Sequence, residues 1–142
     1  MMTVSRRTLL AIFPLFMLGG CLSDSKSEIL ATDKSQVQLR AVQTRVFETN
    51  DRAMVFRAAI ATLQDLGFII DKADDSLGTV SATKLSGYVM RITVTVRPRG
   101  ITQTAVRASA QYNINAVSEA APYQQFFAAL EKSMFLSANE VD

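Results

Sequence analysis

Two alternating runs facing each other across Pro98-Arg99-Gly100 constrain this chain more than any other feature. From Tyr88 to Arg97, the apolar Met90, Ile92, Val94 and Val96 alternate with Arg91, Thr93, Thr95 and Arg97. Side chains of a strand point to opposite faces in turn, so this pattern predicts a strand buried on one face only. After the turn, Thr104, Val106, Ala108, Ala110, Tyr112 and Ile114 alternate with Ala105, Arg107, Ser109, Gln111 and Asn113. Proline presets its own dihedral and glycine accepts a positive one, so the two runs are expected to close as an antiparallel hairpin. The rest of the domain has to cover its one apolar face.

Two helical patterns supply that cover. Thr49, Asn50 and Asp51 offer capping side chains ahead of Val55, Phe56, Ala59, Ile60, Leu63 and Leu66, which recur at helical spacing. Gly67 then stands where a helix commonly ends in a left-handed residue. Pro122 suits the first turn of a closing helix, where its missing N–H has no intrahelical partner. Tyr123, Phe126, Phe127, Leu130 and Met134 form that helix's apolar stripe. Phe135 and Leu136 widen it beyond what one sheet face requires, which makes them candidates for docking a neighbouring protein or enclosing an apolar ligand. Alternation from Ala41 to Phe47, the short run Phe68 to Asp71 and the run Gly78 to Lys84 predict further strands. The sum is an α+β, two-layer domain: an antiparallel meander of four to five strands with two helices on one face, in the order β-α-β-β-β-β-α.

The first twenty residues read differently. Arg6 and Arg7 precede an apolar stretch from Leu9 to Leu18, and small residues follow, as in an export signal. About ten apolar residues are too few to cross a hydrocarbon core of about 30 Å as a helix. The tetrapeptide Leu18-Gly19-Gly20-Cys21 resembles the lipobox of bacterial lipoproteins. That resemblance implies diacylglyceryl transfer to the Cys21 thiol, cleavage between Gly20 and Cys21, and acylation of the new amino group. Cys21 is the only cysteine in the chain, so no disulfide competes for it. Two or three acyl chains, at about 0.8 kcal/mol per buried methylene, would make the anchor effectively permanent. Ser5-Arg6-Arg7-Thr8-Leu9-Leu10 also resembles the twin-arginine export motif, although two arginines equally satisfy the general secretory route. Leu22 and Ser23 follow the cysteine, in place of the aspartate that marks inner-membrane retention in enteric bacteria. Sorting to the outer membrane of a Gram-negative envelope is the expectation.

The chain is thus expected to divide into a cleaved signal at 1–20, a lipidated flexible tether at 21–36 and one periplasmic domain at 37–142. Ser, Asp, Lys and Thr dominate the tether, a composition that buries too little to offset ordering. Removing the signal takes away Arg6 and Arg7 and no acid, so the net charge of +2 falls to zero. A neutral domain gives no reason to expect nucleic acid as a partner.

The chain has no histidine. Ser-His-Asp triads, histidine acid–base catalysis and most zinc sites are therefore closed to it. Asp71, Asp74 and Asp75 lack the alternation and terminal glutamate of a calcium loop, and a solvated turn accounts for them. The expectation is no enzyme activity, no cofactor and no metal. Arg91, Arg97, Arg99 and Arg107 make a basic stripe on the polar sheet face, where guanidinium forks suit carboxylates and phosphates. Arg91, Arg97 and Arg107, with Phe135 and Leu136, are the candidate partner face.

The helix from Val55 to Phe68, read as Val-Phe-Arg-Ala-Ala-Ile-Ala-Thr-Leu-Gln-Asp-Leu-Gly-Phe and followed by a meander, resembles the small periplasmic lipoprotein domains typified by BamC. The stretch from Thr44 to Lys84 and Tyr123-Gln124-Gln125-Phe126-Phe127 are similar to proteobacterial lipoproteins of no assigned activity. The resemblance implies a fold more than a function. The expected role is a non-enzymatic accessory or scaffold subunit of an envelope assembly, bound to the membrane through Cys21 and to a protein partner. The alternative is a carrier of lipid or another apolar ligand, which would need a cavity of several hundred Å³.

Overall fold

The computed structural model describes residues 35–139, with side chains as far as Phe135. The signal segment, Gly20, Cys21, most of the expected tether and the side chain of Leu136 lie outside the described residues. The described chain opens in helical residues 35–43 (α1) and continues through β1 (Thr44–Phe47), α2 (Arg52–Asp65), β2 (Ile69–Asp74), β3 (Thr79–Leu85), β4 (Val89–Arg99), β5 (Gln103–Tyr112), β6 (Asn115–Ala116) and α3 (Ala120–Asn139).

All strands pair antiparallel in the order β1-β5-β4-β3-β2, and β6 shares the outer edge of β5 with β1. β4 and β5 form the expected hairpin, with Met90 opposite Tyr112 and Arg99 opposite Gln103. Val80, Ala82, Ile92, Val94, Val96, Val106, Ala108 and Ala110 are buried on one face of the sheet. Both long helices cover that face, and Tyr123, Phe126, Phe127 and Leu130 of α3 meet Val55, Ala59 and Leu63 of α2 in one core. Burying each large side chain contributes about 1.5–3 kcal/mol, so this face holds the layers together.

Local chemistry fixes α2 at both ends. The Asp51 carboxylate accepts from the Met54 N–H at 2.8 Å, capping the first turn. At the other end Gly67 has φ +83°, its N–H donates to the Gln64 carbonyl, and the Phe68 N–H donates to the Leu63 carbonyl. This pair of bonds is a Schellman motif, and the buried side chains of Leu63 and Phe68 supply its hydrophobic contact. Lys84 Nζ donates to the Leu66 carbonyl at 2.8 Å, placing a cation at the negative end of the helix.

The sequence expectations need four corrections. The alternation from Ala41 to Phe47 is a strand only from Thr44, because Leu39, Val42 and Gln43 also lie at helical spacing and turn inward as α1. Ser35 and Gln36, at the end of the expected tether, are already helical. The sheet has six strands instead of four to five, because Asn113 takes φ 53°, turns the chain and lets Asn115 and Ala116 pair back on β5. The turn expected at Pro98-Arg99-Gly100 lies at 100–102 instead: Pro98 and Arg99 are inside β4, paired with Thr104 and Gln103. The Val96 N–H points toward the β3 edge, to the Gly78 carbonyl, and Pro98 has the same parity two residues on. Pro98 lies past the first β3–β4 pair, Thr79 opposite Thr95, where β3 does not reach, so its missing N–H costs no ladder bond.

Tyr123 closes the gap on the β5 edge between β1 and β6. Its hydroxyl, fully buried, donates to the Val117 carbonyl at 2.7 Å and accepts from Gln43 Nε2 at 3.1 Å and the Ala110 N–H at 3.3 Å. One hydroxyl has one proton and two acceptor positions, so its capacity is filled. The residue ties α1, β5, the loop before α3 and α3 itself to one point.

Candidate functional site

Register places the polar face in rows across the strands. Asp74, Thr79, Thr95, Arg107 and Thr44 form one row, and Arg97, Ala105 and Val46 form the next. Arg97 is therefore a diagonal neighbour of Arg107, with backbones about 7–8 Å apart. Between them the side chain at Ala105 is a single methyl group. The result is an open hollow of about 430 Å³ lined by Thr44, Thr95, Arg97, Ala105 and Arg107.

Both arginines are exposed, and among the described residues neither has a hydrogen-bond or acidic partner. Arg52, at the turn between β2 and β3, is committed instead: it donates to the Asp75 carbonyl at 2.7 Å and to its carboxylate at 3.2 Å. Asp74, in the same row as Arg107, lies three strands away, about 14 Å at the usual strand spacing. The carboxylate of Glu48 accepts from Gln103 Nε2 at 2.6 Å. Two uncommitted guanidinium forks and two threonine hydroxyls around a small floor have the charge and the donors that a carboxylate or phosphate requires. They provide no nucleophile and base in contact.

The structure divides the expected basic stripe. Arg91 is on the same face but opposite Gln111, four residues along from the Arg107 row, or about 13 Å. Arg99 is opposite Gln103, near the end of the hairpin. Phe135 is exposed on α3, which covers the other face of the sheet, so it shares no surface with the arginines. The positive charges were legible in the sequence. Thr95 shares their face in the sequence pattern, whereas nothing in the sequence marks Thr44 and Ala105 as their companions.

The three aspartates do not converge. Asp71 accepts from Thr83 Oγ1 at 2.6 Å, and Asp75 pairs with Arg52. Asp74 accepts from Ser76 Oγ at 2.6 Å and from the Leu77 N–H at 3.0 Å. The Ser76 hydroxyl, then the Leu77 N–H, holds the Asp74 carboxyl below its ordinary value of 3.8. Among the described residues no group of three or more acidic, cysteine or histidine side chains is placed to hold a metal ion.

A second concavity lies between the layers, where Leu66 and Phe68 meet Tyr88, Met90, Tyr112 and Phe126. Lys84 closes one side with its ammonium 5.7 Å from the Phe68 ring centre, and Tyr88 stands edge-on to Tyr112 at 4.8 Å. Burial pushes the Tyr112 phenol above its ordinary value. The cavity measures about 160 Å³. Drug-sized ligands occupy pockets of about 300–1,000 Å³, so this one is small for an acyl chain.

Among the described residues no helix is long and apolar enough to cross a membrane. Comparison with models of known protein families and with curated proteins finds no match for this chain.

Proposed function

We propose that this chain is an outer-membrane lipoprotein, anchored through Cys21, whose domain is a non-enzymatic accessory subunit of an envelope assembly. The observation that carries the role is the hollow at Ala105, flanked by Arg97 and Arg107 with no partner of their own among the described residues. A soluble sheet face needs charge, but it does not need two guanidinium groups to be uncommitted around a one-methyl floor. The hollow suits a carboxylate presented by a protein partner. The lipobox-like Leu18-Gly19-Gly20-Cys21 supports the anchor, and the BamC-like pattern of helix and meander agrees with an envelope role. A lipid carrier is less well supported, because the cavity between the layers is only about 160 Å³.

The test is crosslinking in intact cells followed by purification through a C-terminal tag. The Arg97→Glu/Arg107→Glu double variant is expected to lose the co-purified partner. Its stability should change by no more than about 0.5 kcal/mol per site, as for other exposed substitutions. An unchanged set of partners would refute the role of the hollow. Recovery of monomer alone, carrying bound lipid, would favour the carrier instead.

A further inference from the structure

The exposed apolar side chains are unevenly distributed along the sheet. Ile69 at the start of β2, Leu85 at the end of β3, Tyr88 and Val89 at the start of β4, and Ile114 just after β5 all stand at one end. They are neighbours: Ile69 is opposite Thr83, diagonal to Leu85, Leu85 is opposite Val89, and the Val89 carbonyl accepts from the Asn113 N–H at 2.9 Å. Leu85 is 71% and Ile114 89% exposed, so these side chains are not rim members of the core. The opposite end has Leu77 and Ile101 as its exposed large apolar residues, each in a separate turn.

The chain also comes into the sheet from the apolar end. β1 starts opposite Arg107 and finishes opposite Thr104, so it runs away from Tyr112. Gln43, just before it, reaches the same Tyr123 hydroxyl that takes the Ala110 N–H. Thirteen residues, 22 to 34, separate Cys21 from Ser35. Whatever their conformation, they reach no farther than about 50 Å. β4 alone spans about 35 Å from one end of the sheet to the other. Gln43, which meets the Ala110 N–H at the Tyr123 hydroxyl, stands beside the part of β5 that is two residues from Tyr112 and seven from Gln103, so the apolar end is the one nearer to the segment leading to Cys21.

We infer that the end of the sheet bearing Ile69, Leu85, Tyr88, Val89 and Ile114 rests on the lipid surface, with these side chains in the headgroup region. This placement rests on the lipid anchor at Cys21. Tyrosine, with an apolar ring and a polar tip, suits that interface. Contacts too weak to hold a free domain suffice once an anchor supplies a high local concentration. Charge at this end is mixed, with Arg91 and Asp71 flanking Thr83, Lys84 at the end of α2 and Glu119 close enough to act on Tyr112, so binding depends on apolar contact more than on anionic lipid. The Arg97–Arg107 hollow is then held about 20 Å from the membrane, five to seven residues along β5 from Tyr112, facing a partner.

The chain has no tryptophan, so one introduced indole reports its own surroundings. The full mature lipidated protein is placed in phosphatidylethanolamine–phosphatidylcholine vesicles with brominated acyl chains, as Tyr88→Trp, Ile114→Trp or Ile101→Trp. Emission from Tyr88→Trp and Ile114→Trp is expected to shift to shorter wavelength and to lose most of its intensity, while Ile101→Trp keeps its emission. All three sites are exposed, two of them in turns, and circular dichroism checks that each variant folds. Equal quenching at the two ends, or none at either, overturns the inference. So does an indole at position 88 that is unquenched on vesicles yet shielded in the crosslinked cellular complex, which would assign this end to a protein. The mass of the Cys21 peptide separates the two claims. Acyl mass without quenching refutes the docking alone, whereas an unmodified Cys21 refutes the anchor and the docking with it.

Discussion

Replacing Tyr123 by phenylalanine removes one oxygen from a side chain that also contributes a buried ring, so it isolates the polar role from the packing. The hydroxyl takes the protons of Gln43 Nε2 and the Ala110 N–H and gives its own to the Val117 carbonyl. Gln43 and Tyr123 are both buried. Each lost bond costs about 1 kcal/mol net, and a buried group left unsatisfied costs about 1–3 kcal/mol. Three groups lose their partner at once, which gives a destabilisation of about 3 kcal/mol. For a domain of about 100 residues this lowers the thermal midpoint by about 12–24 °C, at 4–8 °C per kcal/mol. The assay is thermal and urea unfolding of Tyr123→Phe, Gln43→Met and the double variant. The two substitutions share one network, so their effects should add to more than the double variant shows, with a coupling of about 1 kcal/mol. A loss below about 1 kcal/mol in Tyr123→Phe, or strict additivity, would refute the hydroxyl as a structural latch.

Thr62 is buried in α2 with a hydroxyl that has no hydrogen-bond partner among the described residues. Thr62→Val keeps the β-branch and removes that hydroxyl, so unfolding should move up by about 1 kcal/mol, and a lowered midpoint would contradict this. Gly78 has φ +62°, and a Cβ there would press on the Val96 carbonyl and lie 2.8 Å from Arg52 Nη1. Gly78→Ala should destabilise by about 2–3 kcal/mol in denaturant titration, and wild-type stability would show that the β2–β3 turn is not held as described. The folded-state pKa of Asp74 is lowered, so its contribution to stability is present above its ordinary value of 3.8 and lost as pH falls through the lowered one. Midpoints measured across that acid range should fall less steeply in Asp74→Asn than in the wild type, and identical slopes would exclude this carboxylate from the acid response.

Much of this fold could be read from the sequence because its strongest signals are local. The alternation of Met90 to Val96 and Val106 to Ala110 assigns faces residue by residue, and Gly67 after Leu63 and Leu66 marks where α2 stops. Short segments failed where two periods fit the same residues, as at Val42 and Gln43, or where a strand is only two residues long, as in β6. The site was legible in kind and not in arrangement. Arginines on a polar face could be named, but which two share a hollow depends on register, and Arg97 happens to oppose Ala105. Tyr123 looked like one more aromatic in a stripe, since its polar partners lie as far as 80 residues away. The apolar end of the sheet was hidden for a similar reason: Ile69, Leu85, Val89 and Ile114 are spread over three strands and a turn and meet only once the meander is folded.

The central claim is that an acidic group of a protein partner occupies the hollow between Arg97 and Arg107 while the domain is held at the membrane. A photoreactive amino acid in place of Ala105, irradiated in intact cells expressing the full chain, tests it most directly. The expected result is a light-dependent adduct of larger mass that disappears when Arg97 and Arg107 are both changed to glutamate and persists when Arg91 alone is changed. No adduct at position 105, or one indifferent to the double charge reversal, would contradict it.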